Sequence, residues 1–265
     1  MFLAIDVGNS DTVVALYRHG VRPESLVRTG RFATHGSSSH PGADESLIAW
    51  LGPPQGVELQ AVGAACVVPA VTPHIREAMH AVYGQEVYFV SHESEHGLQI
   101  RYHPPASLGA DRLCNAVAAR ARFGGAAIAI DFGTATKLEV VTEYGEYLGG
   151  AILPGIGISL DALYARTAQL AEVALEAPPS VIGDNTVHAL QSGIVYGYAG
   201  QADALIDRMC DELDTAVGVV VTGGWAHFLA HRLRTPAYHD PMLTLDGVRR
   251  ICVHTLGLSG RSIDV

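Results

Sequence analysis

Lysine is nearly absent from this chain. Of 17 basic residues, 16 are arginine and one is lysine, Lys137. No G-x-x-x-x-G-K-[ST] loop can be written, which excludes a Walker-type nucleotide site and leaves Lys137 as the one residue able to form a Schiff base. Cysteine is scarce too. Cys66, Cys114, Cys210 and Cys252 are far apart and form no C-x-x-C pair. They read as small buried hydrophobes in a reducing compartment, not as zinc ligands or a disulfide frame. No uninterrupted apolar run approaches the length of about 18 residues that a membrane span needs. The start, Met1-Phe2-Leu3-Ala4-Ile5-Asp6, has no basic residue ahead of its first acid and does not read as a secretory leader. The expected location is cytoplasmic. Basic excess is missing as well: the formal net charge is -10. Nucleic acid and anionic membrane both want a basic face, so neither is an expected partner. The 13 histidines form no H-E-x-x-H. His92 and His96 are four apart, but Gly97 follows and no strong helical pattern surrounds them, so they are not read as ligands.

What is present is 48% hydrophobic residues and 29 glycines in 265 residues, the profile of a turn-rich α/β protein. The length suits two domains of about 130 residues each. A repeat supports that division. Ala4-Ile5-Asp6-Val7-Gly8 recurs half a chain later as Ala129-Ile130-Asp131-Phe132-Gly133. Each copy ends an apolar strand in Asp, then Gly, then small polar residues, and a second β-rich run follows: Val13 to Tyr17, and Leu138 to Thr142. Both copies read as strand, tight turn, strand. Such a turn presents backbone N–H groups and small hydroxyls, and glycine admits a phosphate at close range. The aspartate supplies a hard oxygen for Mg²⁺ or for its water shell. An ordinary hairpin turn also fits Asp-x-Gly, but recurrence half a chain apart favours a pair of phosphate-holding turns.

The remaining pattern alternates strands and helices. Strands are expected over Leu59–Val68, Glu86–Val90, Glu146–Leu153 and Val217–Val221. Helices are expected over Thr72–Tyr83, Leu108–Phe123, Asn185–Leu213 and Leu243–Leu256, with another after Thr222-Gly223-Gly224. Gly193, Gly197 and Gly200 weaken the long helix unless they allow close packing. Residues 33–44 read as an exposed loop. The boundary is expected near 121–125, giving domains 1–122 and 123–265.

One segment carries more chemistry than its neighbours: Tyr102-His103-Pro104-Pro105-Ala106-Ser107-Leu108-Gly109-Ala110-Asp111-Arg112. Two prolines stiffen the entry to a helix that opens with Asp111, where the helix dipole favours a carboxylate. The same Asp111, beside the anion-binding Arg112, is placed to orient an alcohol and accept its proton in phosphoryl transfer.

Taken in order, these residues resemble a known family. Asp6-Val7-Gly8-Asn9-Ser10 is similar to its first phosphate motif. Gly109-Ala110-Asp111-Arg112 is similar to its substrate motif, and Asp131-Phe132-Gly133-Thr134-Ala135-Thr136 to its second phosphate motif. Gly149 to Gly155, Ile182-Gly183-Asp184-Asn185-Thr186 and Thr222-Gly223-Gly224 match further on. Each motif alone is weak; six in order along nearly the whole chain are specific. The chain resembles the type III pantothenate kinases, which open coenzyme A biosynthesis. The resemblance implies two duplicated ribonuclease-H-like domains of the actin-like ATPase and sugar kinase fold, each a mixed sheet flanked by helices. It implies a homodimer with sites near the dimer interface. It implies transfer of the ATP γ-phosphate to the primary hydroxyl of pantothenate, with Mg²⁺ and a monovalent cation, K⁺ or NH₄⁺.

By the same resemblance, Asp111 is the proton acceptor. Tyr102, Gly109, Ala110, Arg112 and Thr186 contact pantothenate, Thr186 reaching over from the second half of the dimer. Asp6, Val7, Gly8, Asn9, Ser10, Asp11, Thr12, Val13 and Thr134 contact ATP. Asp6 stands near Mg²⁺, directly or through water, and Asp131 at the monovalent cation. Three positions depart from the commonest pattern: Ser10 and Lys137 stand where Thr is usual, and Asp184 where Lys is frequent. Ser10 keeps the hydroxyl. Asp184 removes a positive charge beside Thr186. Lys137 either supplies an ammonium in place of the monovalent cation, or touches the ATP phosphates, or simply faces outward from its strand. Ser159 lacks a G-x-S-x-G elbow. Asp161 faces the substrate or only starts a helix, and Trp225 lies against adenine or packs beneath its loop. Two alternatives stay open beside the kinase: a catalytically weak paralogue acting as a regulator, and a kinase for another small alcohol.

Overall fold

A computed structural model describes residues 1–18, 23–36, 42–167 and 172–258. Two compact units emerge: Met1–Ala118 together with the segment from Met242 onward, and Ala119–Pro241.

In the first unit, β1 (Phe2–Val7), β2 (Asp11–Tyr17), β3 (Leu26–Ala33), β4 (Ala61–Cys66) and β5 (Val87–Phe89) form a sheet ordered β3-β2-β1-β4-β5. The first three strands meander antiparallel; β4 and β5 run parallel to β1. Strand β1 is apolar at nearly every position because both of its faces are covered. Leu3, Ile5 and Val7 join the core that holds Leu47 and Leu51 of α1 (Ala43–Leu51) and Ile75 and Met79 of α2 (Thr72–Tyr83). Each such side chain, fully buried, stabilises by about 1.5–3 kcal/mol. The opposite face of the sheet takes α7 (Leu243–Thr255), which lies on β1, β2 and β4. Gly63 of β4 makes room there, since a Cβ would stand 2.3 Å from Cys252 Sγ. A two-residue strand, β6 (Gln99–Ile100), precedes α3 (Ala110–Phe123). Gly247 lets α7 approach α3 closely: a Cβ there would lie 2.1 Å from the carbonyl oxygen of Cys114. Beside that contact the Thr244 hydroxyl donates to Asn115 Oδ1 at 2.8 Å.

The second unit repeats the plan. Its strands are β7 (Ala127–Phe132), β8 (Ala135–Val141), β9 (Glu146–Pro154), β10 (Gly218–Thr222) and β11 (Tyr238–His239), ordered β9-β8-β7-β10-β11. Again the first three are antiparallel and the last two parallel to the first. Ile128, Ile130 and Phe132 of β7 pack with Tyr198, Ala202 and Ile206 of α5 (Thr186–Leu213), Ile156 of α4 (Ile156–Arg166) and Leu229 of α6 (Ala226–Leu229). Among the described residues, no helix is long and apolar enough to cross a membrane.

Several expectations shift. Residues from 123 onward were assigned to the second domain, yet α7 belongs to the first unit, because its apolar face (Leu245, Val248, Cys252) is buried there. Strand β3 went unread, since as a largely exposed edge strand it carries no apolar alternation. In the stretch 33–44, Ala33 ends β3 and Ala43 starts α1; residues 37–41 lie outside the described residues. A helix does run through Asp161, but α4 starts five residues before it, at Ile156. Gly193, Gly197 and Gly200 do not serve close packing within the described chain, for a Cβ at any of them meets nothing within 4 Å.

Two glycine substitutions separate these cases. Gly247→Ala is expected to cost about 1–3 kcal/mol through overpacking. Gly200→Ala, in open helix, is expected to stabilise by about 0.5–1 kcal/mol. Urea midpoints of the two variants check both signs.

Candidate active site

The first turn joins β1 to β2. Gly8 N–H donates to the Asp11 carbonyl at 3.0 Å, closing a loop whose Asn9, Ser10 and Asp11 are exposed. Arg31 holds the Asp11 carboxylate at 2.9 Å, both on the surface. A buried threonine braces the turn from beneath. The Thr34 hydroxyl donates to the Gly8 carbonyl at 2.7 Å, and its N–H donates to the Ser10 carbonyl at 3.0 Å. Thr34 Oγ1 also meets Thr12 Oγ1 at 3.0 Å; with its one proton committed to Gly8, it accepts from Thr12. Thr34 was not foreseen from the sequence. The only signal was a hydroxyl residue just past the end of an unread edge strand.

The second cluster stands at the start of α3. Gly109 has no alternative, for a Cβ would lie 2.6 Å from Asp111 Oδ1. Asp111 is nearly buried in the first turn, where the helix dipole favours its charge, and Oδ1 accepts the Arg112 N–H at 2.8 Å. The buried Arg112 guanidinium stacks 5.2 Å from the Tyr102 ring centroid, and its Nη1 donates to the Tyr102 hydroxyl at 3.4 Å. Tyr102, Gly109, Asp111 and Arg112 are therefore gathered in one place. Burial pushes the Cys114 thiol well above its usual range, and the charges of Cys252, Asp6 and Asp111 push it the same way. Both carboxylates act on the same buried sulfur within the first unit. Burial alone pushes Cys252 up to about 12. Neither thiol is a nucleophile at neutral pH.

The second turn joins β7 to β8. It is one residue shorter, and by strand register Thr136 matches Thr12 and Lys137 matches Val13. Asp131 and Lys137 are directly opposite, and Lys137 Nζ meets Asp131 Oδ2 at 2.8 Å. Gly155 stands where Thr34 stands in the first unit. A Cβ at Gly155 would fall 2.1 Å from the Thr134 carbonyl oxygen, so no threonine fits. The buried Thr136 Oγ1 accordingly has no hydrogen-bond partner among the described residues. The brace comes from α5 instead: Tyr198 Oη donates toward the Pro154 and Gly155 carbonyls at 3.0 and 3.1 Å, and Ser159 Oγ meets it at 2.5 Å. Gly223, at φ +94°, brings its backbone against Asp131, where a Cβ would lie 2.3 Å from Oδ1. Trp225 is half-buried against the core of this unit and its N–H donates to the Phe132 carbonyl at 3.0 Å, so it packs beneath the loop.

Thr186 opens α5 of the second unit and is exposed. Asn185 caps the helix by accepting the His188 N–H at 2.9 Å. Asp184 turns to the same residue, its Oδ1 2.7 Å from His188 Nδ1, and this hydrogen bond holds its carboxyl below the usual range. The negative charge at position 184 is thereby held in its own helix turn. Asp161 is exposed on α4. His96 accepts the Leu98 N–H at 3.1 Å and is held neutral by burial, a structural role. Among the described residues no three His, Cys, Asp or Glu side chains gather as a metal site.

Comparison with known proteins agrees with these motifs. The family model for type III pantothenate kinase matches residues 2–208. A type III pantothenate kinase of Roseiflexus castenholzii is 41% identical over 256 residues, covering 95% of this chain and 98% of the relative. Among solved structures, a conserved Baf family protein of Campylobacter jejuni, described as a putative transcriptional activator, superposes with a TM-score of 0.59 at 20% identity, covering 96% of this chain and 99% of its own. An activator of 2-hydroxyisocaproyl-CoA dehydratase from Clostridium difficile, solved with bound ADPNP, gives 0.54 at 11% identity, covering 100% and 99%. The fold is α/β, with two ribonuclease-H-like domains in the manner of actin-like ATPases and sugar kinases.

The Thr34 brace generates a prediction independent of any activity. Thr34→Val keeps the shape but strands the Gly8 carbonyl and the Thr12 hydroxyl, at a cost of about 1–3 kcal/mol. Amide hydrogen exchange across Gly8–Asp11 is expected to accelerate, while exchange in β7–β9 stays unchanged.

Proposed function

The chain belongs to the type III pantothenate kinase family, and we propose how its own residues divide that family's work. The activity is ATP-dependent phosphorylation of pantothenate to 4'-phosphopantothenate, the opening step of coenzyme A biosynthesis. The observation that carries the assignment of roles is the cluster of Tyr102, Asp111 and Arg112 at the start of α3.

Asp111 is the proton acceptor. It orients the primary hydroxyl of pantothenate and takes its proton as the phosphoryl group arrives, the one proton transfer that phosphorylation of an alcohol requires. Arg112 binds the pantothenate carboxylate, with Tyr102 fixing the plane of the guanidinium. Gly109 and Ala110 leave space for the substrate to reach Asp111. Asp6 through Val13 receive ATP: small side chains and backbone N–H groups make room for the phosphates, and Thr34 keeps the first turn in shape. Mg²⁺, when bound beside Asp6, supplies neutralisation of the charge that develops on the phosphates.

The working unit is a homodimer. Ile152, Ile158, Val181, Ile182 and Val187 of the second unit are large apolar side chains on the surface, which supports burial against a second copy. In that assembly Thr186 serves the partner subunit's site. The four free thiols fit a cytoplasmic enzyme.

Asp111→Asn tests the assignment. A loss of about 100-fold or more in kcat is expected, with the melting temperature retained. Coupled ADP release with ATP, Mg²⁺ and pantothenate measures it, and near-normal turnover would remove Asp111 from the proton-transfer role.

A further inference from the structure

The family resemblance places a monovalent cation at Asp131, and the residues present do not fit one. Asp131 already faces a cation of the chain's own. Lys137 stands directly across the β7–β8 ladder, and its Nζ lies 2.8 Å from Oδ2. Directly opposed side chains on antiparallel strands have Cβ atoms about 5 Å apart, so the pair is set by strand register and not by the reach of a loose surface chain. Both ends are largely shielded, with 16% of the Lys137 and 14% of the Asp131 side chain exposed. Shielding strengthens this attraction, and equally the repulsion that a second cation would meet. Glycine backbone comes close to the other carboxylate oxygen: a Cβ at Gly223 would stand 2.3 Å from Oδ1 and one at Gly133 3.0 Å from it.

Residue choice points the same way. The chain uses arginine at every other basic position. Guanidinium is a broad planar fork, whereas ammonium is a compact point charge with three donors, the chemistry of NH₄⁺ tethered to a strand. In the first unit the matching position is Val13, opposite Asp6. The cation is thus confined to one of two otherwise parallel turns.

We infer that the Lys137 ammonium takes the place of the monovalent cation at Asp131, so this kinase runs without added K⁺ or NH₄⁺. The inference rests on the phosphoryl-transfer reading above and has a readout that does not. The experiment compares the full-length protein with Lys137→Thr, at constant ionic strength, in KCl, NH₄Cl, NaCl and tetramethylammonium chloride. Pantothenate-dependent ADP release and thermal melting are recorded in each salt. The wild type is expected to show the same turnover and the same melting temperature in all four. Lys137→Thr is expected to melt higher in KCl than in tetramethylammonium chloride, and to lose at least about tenfold in kcat/KM without K⁺ or NH₄⁺, the scale of one lost contact to a charged group. Activation or thermal stabilisation of the wild type by K⁺ would overturn the inference. So would a Lys137→Thr protein indifferent to the salt. Should that variant fail to fold, the wild-type series decides alone. Absence of turnover in every salt would refute the kinase reading, while the melting series would still judge the ion pair.

Discussion

Each unit is built round one strand that is buried on both faces and carries an aspartate as its penultimate residue. An ionised carboxylate near the end of such a strand needs a cation or hydrogen-bond donors, because the apolar surroundings offer no solvation. The two units answer this need differently. In the second, the ammonium of Lys137 faces Asp131 from the neighbouring strand. In the first, the residue across from Asp6 is Val13, which offers no charge. The same topological position is therefore an internally neutralised pair in one copy and lacks a charged cross-strand neighbour in the other.

The turns that follow these strands depend on backbone approaching backbone. Gly155 against Thr134 and Gly223 against Phe132 are contacts that a methyl group would break. Such closeness leaves the loops with few side chains of their own to hold them. Support comes from distant residues: Thr34 from the end of an edge strand in the first unit, and Tyr198 from the long helix in the second. The braces differ although the strands match, because Gly155 removes the threonine that the first unit uses and leaves Thr136 without its partner.

Much of the fold was legible in local pattern. Strands buried on both faces read as apolar runs, and α2, α3 and α5 were bounded by their proline, glycine and asparagine signals. What escaped was whatever lacked periodicity. The edge strand β3 alternates nothing, and the start of α4 follows Pro154-Gly155 with too few charged residues to mark an outer face. Tyr102, Asp111 and Arg112 were legible as a site because they are close in sequence. Thr34 and Tyr198 were not, since their roles arise from partners 26 and about 43 residues away.

Composition, the repeated Asp-x-Gly turn and the order of the motifs were enough to point to a duplicated α/β kinase, because these depend on local chain geometry and on residue chemistry. Assembly in three dimensions settled the rest. It drew α7 into the first unit, since α7's apolar face matches that sheet, and it set the side of β8 on which Lys137 stands. A strand's neighbours and register are properties of the sheet, so the pairing of Lys137 with Asp131 could be named as one option from sequence and selected only by the ladder that joins β7 to β8.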